Sequence, residues 1–397
     1  MTGRNQMTDA IGSNGNKKVL KWMSIVGARP QFVKLGPVCR AIDEHNRQAG
    51  SQQINHVILH TGQHYDHEVS GLLFSQLGLP EPNYMLSAGS GSAGVQMARM
   101  MARMERALSV EKPDWVVVYG DTNSTLVGAL LAARMKFPLA HVEAGCRSLD
   151  SGMPEEQNRI VADHLSRLLL TPSKSTVENL QKEGIGSGAD PHKRRAVAVG
   201  DVMYDTLLQN LPLAQKFATE ALEGLGFEKG NYYLLTIHRA ENTDNPERLR
   251  TILQAASSLD LPVLFPVHPR TKHVLQAAKI SPNGAVRCVP PLGYLEMLAL
   301  GGNAKKILTD SGGVQKEAFY LGIPCVTLRE QTEWPETVEL GANRLGGVSA
   351  QSIREAVFGV QNEDWSHATP YGDGKSAQKI VNEIVNASED KFQSVSH

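Results

Sequence analysis

The feature that most constrains this chain is a recurring short run of apolar, often β-branched residues with no polar alternation, of which WVVV at 115–118 is typical. A strand with one face in water alternates apolar and polar residues, whereas a strand covered on both faces does not. Five such runs come first: VLKWMSIVG (19–27), HVILHTG (56–62), WVVVYGD (115–121), LAHVEAG (139–145) and LLLTPS (168–173). A second series follows: AVAVG (196–200), YYLLTIH (232–238), LPVLFPVH (261–268), VRCV (286–289), KKILTD (305–310) and PCVTLR (324–329). Segments of helical periodicity lie between them, for example VQMARMMARMERALSV (95–110) and STLVGALLAARM (124–135). Strands alternating with helices predict an α/β protein with parallel sheets covered on both faces.

The length of 397 residues favours two domains. QKEGIGSGADPHKRR (181–195), a cluster of Gly, Ser, Asp, Pro and charge, is the expected junction. The predicted architecture is two Rossmann-like doubly wound domains facing a cleft, spanning 19–190 and 191–370. Residues 1–18 read as a disordered lead-in, and 371–397 as a C-terminal helix and tail packing back on the first domain. Ligands then bind at strand C-terminal ends in the cleft.

Charge and composition narrow the function. Forty basic against 41 acidic side chains give a net charge of −1, which argues against holding nucleic acid by bulk electrostatics. No apolar stretch approaches the roughly 20 residues that span a bilayer, and the first twenty residues lack a signal-peptide core. Cys39, Cys146, Cys288 and Cys325 form no CxxC pair. The expectation is a cytoplasmic protein with reduced thiols and no bound metal. GSGSAG (89–94) fits GxGxxG, but it follows a poor strand, EPNYMLSA, and Asp114 precedes its strand instead of ending it, so dinucleotide binding is not expected. GDGKSA (372–377) has Thr369 where a P-loop needs its first glycine, and HTGQHYDHE (60–68) reads as a polar loop.

Other residues stand where α/β proteins keep their chemistry. Asp121 ends WVVVYGD, Glu143 follows LAHV, and Glu155 opens PEEQNR. Such carboxylates serve as bases, acids or stabilisers of positive charge, although Asp121 before TNST also fits a helix N-cap. His238 and Arg239 end one strand and His268 and Arg270 the next, a pattern suited to an anion. In TDSGGVQKEAFYLG (309–322), a strand runs into Ser311-Gly312-Gly313 and a helix, where free N–H groups and the helix dipole favour phosphate. Glu317, one turn in, is placed to accept from ribose hydroxyls. VGARPQFVK (26–34) brings Arg29 and Lys34 to the opposite wall. Together these predict a nucleoside diphosphate held by the second domain, with its attached group projecting to the first.

GARPQFVK, GDTNST, HVEAG followed by MPEE, TIHRAEN and TDSGG, in this order from about residue 20 to about 380, resemble the non-hydrolysing UDP-N-acetylglucosamine 2-epimerases. The resemblance implies a GT-B-like fold, a homodimer, a UDP-sugar substrate and no added cofactor. It implies Asp121, Glu143, Glu155 and His238 as the catalytic group. Arg29, Lys34, Arg239, His268, Ser311, Gly312, Gly313 and Glu317 become substrate contacts, with Leu292 and Met297 of PPLGYLEM beside the uracil. The implied reaction inverts C2 by eliminating UDP to a 2-acetamidoglucal and adding it back, giving UDP-N-acetylmannosamine for surface polysaccharide synthesis.

The sequence departs from that pattern at three places. TERPE reads TEWPE, so Trp334 replaces an arginine counted among substrate contacts, and Ala240 replaces the second Arg of THRREN. The QHxEM or QHxQM segment associated with an activating second UDP-sugar reads Gln63-His64-Tyr65-Asp66-His67, so such activation is not expected. These differences resemble the branch that epimerises UDP-2,3-diacetamido-2,3-dideoxyglucuronate. That substrate, a hydrolysing epimerase and a GT-B glycosyltransferase remain alternatives, the last leaving the three acids unexplained.

Overall fold

The computed structural model describes residues 19–63, 74, 77–89, 91–360, 364–365 and 367–394. The lead-in 1–18, His64–His67 and the last three residues lie outside the described residues.

The first sheet contains β1 (Leu20–Val26), β2 (Ile54–His60), β3 (Tyr84–Met85), β4 (Trp115–Tyr119), β5 (Leu139–Val142), β6 (Leu168–Thr171) and β7 (Arg195–Ala198). Their spatial order is β3-β2-β1-β4-β5-β6-β7, all parallel. The second contains β8 (Tyr233–Thr236), β9 (Val263–Pro266), β10 (Val286–Val289), β11 (Lys306–Thr309), β12 (Cys325–Thr327) and β13 (Asn343–Leu345). Its order is β10-β9-β8-β11-β12-β13, again parallel. The central strands are buried along their whole length, β4 and β11 at every residue, which is why they carry no polar alternation.

One expectation is corrected. AVAVG was assigned to the second series with a boundary at 190/191, but β7 pairs with β6 in the first sheet, Leu168 opposite Arg195 and Thr171 opposite Ala198. The Gly- and Pro-rich stretch before it is an αβ connection, which has the same turn chemistry as a linker. The chain leaves the first sheet after β7, at Gly200, whose φ is +95°; a Cβ there would stand 2.9 Å from the Tyr371 carbonyl. The helix Val202–Leu225 then leads to the second sheet. The short edge strands β3 and β13 had no run long enough to read.

The helix Ser376–Ser394 returns to the first domain and packs on the helix Arg29–Arg47. Ile380, Val381 and Ile384 enter the core that holds Phe32 and Trp115, and Trp115 Nε1 donates to Ser388 Oγ at 2.7 Å. Its first turn is capped by Asp205, which accepts from the N–H groups of Ser376 and Ala377 at 3.1 and 2.8 Å.

Each sheet changes its direction of winding once, between β1 and β4 and between β8 and β11. Crevices open at the strand C-terminal ends of such points. Gly27, Gly120, Ile237 and Asp310 each follow one of these four strands, so both crevices carry the motifs singled out above.

Candidate active site

The first-domain wall begins with Gln31. Its Oε1 accepts from the N–H groups of Gly27 and Ala28 at 2.7 and 3.1 Å, while Nε2 donates to the Tyr119 carbonyl at 2.9 Å. The loop after β1 is thereby tied to the end of β4. Lys34, on the same helix, reaches Glu143 Oε1 at 2.8 Å, and Lys316 from the second domain reaches Oε2 at 3.1 Å. Burial opposes charge on Glu143, but Lys316 and Lys34 outweigh it and hold the carboxyl down at about 2. Gly120 makes room for the pair: its φ is +59°, and a Cβ would lie 2.9 Å from Lys34 Nζ.

Glu143 itself has φ +71°, a left-handed conformation costly for a residue with a side chain. The turn is fixed from beneath by buried polar groups. His141 Nδ1 lies 2.7 Å from Asp163 Oδ1, and Gly145 N donates to Asp163 Oδ2 at 3.1 Å. Arg147 completes the chain at 2.7 Å from the same oxygen.

Asp121 is not a cap. The residue preceding the helix Asn123–Arg134 is Thr122, and Asp121 pairs instead with Arg159, whose Nε donates to Oδ2 at 3.1 Å. Arg159 is buried and also holds Glu156 at 3.0 Å. Its helix, Pro154–Leu165, presents Glu155 to the cleft, 40% exposed and 3.6 Å from Arg239 Nη1. Two acids of the expected trio are thus tightly paired, and the third is half-buried with a longer contact to Arg239.

The second-domain wall is built on Asp310, a buried carboxylate just beyond β11. It accepts from the backbone N–H groups of His238 at 3.1 Å and Arg239 at 3.0 Å, and from Asn242 Nδ2 at 3.0 Å. His238 Nδ1 stands 3.5 Å from Asp310 Oδ1, and its ring 5.7 Å from that of His268. Burial pushes the His238 pKa down; Asp310 opposes this, while Arg239, Arg270 and Arg29 reinforce it. His268 caps the helix Pro269–Ala277, its Nδ1 accepting from Arg270 N at 3.3 Å.

Ser311 caps the helix Gly312–Leu321, its Oγ facing Val314 N at 3.5 Å. A Cβ on Gly312 would stand 3.0 Å from Trp334 Nε1, and on Gly313 3.4 Å from Met203 Cε. The helix start is therefore close-packed, and its first N–H groups carry the partial positive charge that favours an anion. Glu317 lies one turn in, half-buried, and burial raises its carboxyl to about 7 against the opposing pull of Arg29 and Lys316. Arg29, from the other domain, thus acts electrostatically on both Glu317 and His238. Leu292 and Met297 flank this corner as half-buried apolar residues.

The structure places Asp121, Glu143, His238 and Ser311 just beyond the ends of β4, β5, β8 and β11, while His268 follows β9 as an exposed helix cap 5.7 Å from the ring of His238. The sequence pattern does not point to Lys316, Arg159 or Asp310, nor to Asp201, 2.7 Å from Lys316 Nζ, or Glu333, a buried acid 2.8 Å from Arg329 and 3.8 Å from Arg159 and Arg239. Lys316 and Arg159 carry no sequence signal, because each sits among polar neighbours on a helix and reads as surface charge. Among the described residues no three His, Cys, Asp or Glu side chains are grouped to hold a metal ion, and no helix is long and apolar enough to cross a membrane. His60, expected in a polar loop, is instead the buried last residue of β2 and stacks on Phe32 at 4.9 Å.

The family model described as UDP-N-acetylglucosamine 2-epimerase matches residues 46–385. This chain belongs to that family. A UDP-N-acetylglucosamine 2-epimerase homolog of Methanococcus maripaludis is 47% identical over 92% of this chain and all of the relative. The UDP-2,3-diacetamido-2,3-dideoxy-D-glucuronate 2-epimerase of Pseudomonas aeruginosa is 42% identical, over 91% of this chain and 98% of its own. The crystal structure of the Methanocaldococcus jannaschii epimerase, in complex with UDP-GlcNAc and UDP, superposes with a TM-score of 0.84 at 41% identity, covering 92% of this chain and all of the other. Within the epimerase family, the GT-B-like pair of parallel-sheet domains expected from the sequence is the observed architecture.

Proposed function

We propose that this enzyme interconverts UDP-N-acetylglucosamine and UDP-N-acetylmannosamine without net hydrolysis. One observation carries the reading: Asp121, Glu143 and Glu155, which follow the adjacent strands β4 and β5, pair with Arg159, Lys34 and Arg239, and the helix that begins at Gly312 of the second domain reaches Glu143 through Lys316. That arrangement suits a reaction that detaches an anion from a sugar and keeps it for re-addition. The C2 hydrogen has no adjacent carbonyl, so direct deprotonation is unfavourable. Breaking the C1–O bond leaves the electron pair on the β-phosphate oxygen and positive character on C1 and O5. Loss of the C2 proton to a base then forms the C1=C2 double bond. Protonation of C2 from the opposite face and attack of UDP on C1 complete the inversion.

The electrostatics divide the roles. Glu143, fixed as a carboxylate by Lys34 and Lys316, is a poor proton acceptor and suits stabilisation of the positive sugar. Proton transfer falls to Asp121, Glu155 and His238. Arg29, Arg239 and the N–H groups at Gly312 and Gly313 hold the diphosphate, Glu317 the ribose, and Leu292 and Met297 the uracil. A homodimer, implied by the family resemblance, belongs to the same proposal and is checked by light scattering.

The test is incubation with UDP-N-acetylglucosamine in D₂O followed by proton NMR. Deuterium at C2 with UDP-N-acetylmannosamine accumulating is the expected result. Free N-acetylmannosamine plus UDP overturns the non-hydrolysing reading. Absence of exchange overturns the plain sugar and moves the proposal to the diacetamido-glucuronate nucleotide, which the 42% identity to the Pseudomonas enzyme and Trp334 in TEWPE favour as the second reading.

A further inference from the structure

Lys316 lies in the middle of the helix Gly312–Leu321, beside Glu317, yet its side chain is only 1% exposed. Lysines are almost never fully buried unless paired, and this one is paired twice. Its ammonium lies 2.7 Å from Asp201 Oδ2 and 3.1 Å from Glu143 Oε2. It also sits 3.9 Å from the centroid of the Trp334 indole, whose face attracts a cation in place of water. These groups come from separate parts of the molecule. Glu143 follows β5 of the first sheet, Asp201 opens the helix that leaves it, and Lys316 and Trp334 belong to the second domain.

Cohesion alone is a weak explanation of this cluster. Desolvating two carboxylates and two ammonium groups is costly, and well-packed apolar side chains of similar volume join two surfaces at least as well. The cluster instead commits both oxygens of one particular carboxylate, Glu143, with Lys34 on the first and Lys316 on the second. The helix that carries Lys316 is also the one whose first turn, at Gly312 and Gly313, holds the diphosphate in the proposed function.

We infer that Lys316 is a positioning residue: it fixes the Glu143 carboxylate from the nucleotide side, so one helix aligns both the departing diphosphate and the group that faces the sugar. This rests on the epimerase reading of the site. The arrangement makes Glu143 dependent on the two domains being joined, because one of its two cations belongs to each. The charged and titratable groups facing the cluster include Lys34, Cys146 and Glu317, and around Asp201 also Asp205, Tyr294, Tyr371 and Tyr320, the last donating to Asp201 Oδ2 at 2.6 Å. Lys316 exerts the larger Coulombic pull on Glu143, and Lys34 makes the shorter hydrogen bond, 2.8 against 3.1 Å. Removing its charge lets Glu143 take up a proton at a pH where the wild type remains ionised.

The test compares full-length wild type, Lys316→Met and Lys316→Arg. C2 deuterium exchange on UDP-N-acetylglucosamine is followed against pH, UDP affinity by calorimetry, and the Glu143 carboxyl by carbon-13 NMR, assigned by its loss in Glu143→Gln. Lys316→Met is expected to lower kcat by roughly 10- to 10²-fold, the scale of a misplaced reacting group. The UDP Kd changes by less than about threefold, which separates positioning from binding. The acid limb of the rate profile and the Glu143 titration both move to higher pH, and Lys316→Arg reverses the move. An unchanged kcat and profile in Lys316→Met overturn the inference and leave the epimerase reading intact. A wild type that turns over no UDP-sugar overturns that reading, and the Glu143 resonance then decides the inference, an unmoved titration overturning it. Should Lys316→Met fail to fold, Lys316→Gln deletes the charge while keeping hydrogen-bond donors, and the same outcomes apply.

Discussion

Replacing Glu317 by Gln measures how far the nucleotide corner is built around a proton. The carboxyl is half-buried one turn into its helix, and burial raises it from 4.5 to about 7, Arg29 and Lys316 opposing and Asp201 assisting. Below pH 4.5 the folded and unfolded chains both hold the proton, so the native state has its full stability there. As pH rises towards about 7, the unfolded chain releases the proton first and stability falls, by ~1.4 kcal/mol for each pH unit. The loss is complete above the folded-state value, at a total of roughly 3 kcal/mol. Gln cannot ionise, so Glu317→Gln removes this slope. Thermal melting of both proteins without ligand, from about pH 4.5 to about pH 8, is the assay. The two should match at the acid end, and the variant should be the more stable by up to ~3 kcal/mol at the alkaline end. Parallel pH profiles for the two proteins would refute the reasoning, because burial would then not be setting the proton affinity.

Gly120→Ala places a side chain at φ +59° and a methyl 2.9 Å from Lys34 Nζ, so it should cost about 1–2 kcal/mol in a melting experiment and lower turnover as Lys34 leaves Glu143. Asp121→Asn should slow C2 exchange by at least about 10²-fold while UDP affinity, read by calorimetry, stays unchanged. Asp205→Ala removes the acceptor for Ser376 N and Ala377 N, at a cost of roughly 1–2 kcal/mol. Hydrogen exchange should then quicken in the first turn of the helix Ser376–Ser394, with the second sheet unaffected.

The sequence by itself determined the class of fold and the strand-end positions of the candidate site residues, for a physical reason. A strand covered on both faces must be apolar throughout, and that pattern survives in one dimension as WVVVY, LAHV, YLLT and KILT. Groups at strand C-terminal ends follow directly from the runs, so Asp121, Glu143, His238 and Ser311 were located once the strands were. The tertiary structure decided what long-range pairing sets. β7 joins the first sheet because its partner is β6, and a Gly- and Pro-rich connection looks the same whether it ends a domain or only a helix. Asp121 pairs with Arg159, 38 residues away, instead of capping the helix beside it. Lys316 is the clearest case. Between Gln315 and Glu317 it has the local pattern of a solvated charge, and only the approach of Glu143, 173 residues distant, and of Asp201 and Trp334 encloses it. Burial and charge pairing depend on which elements meet in space, and no local pattern of residue types encodes that.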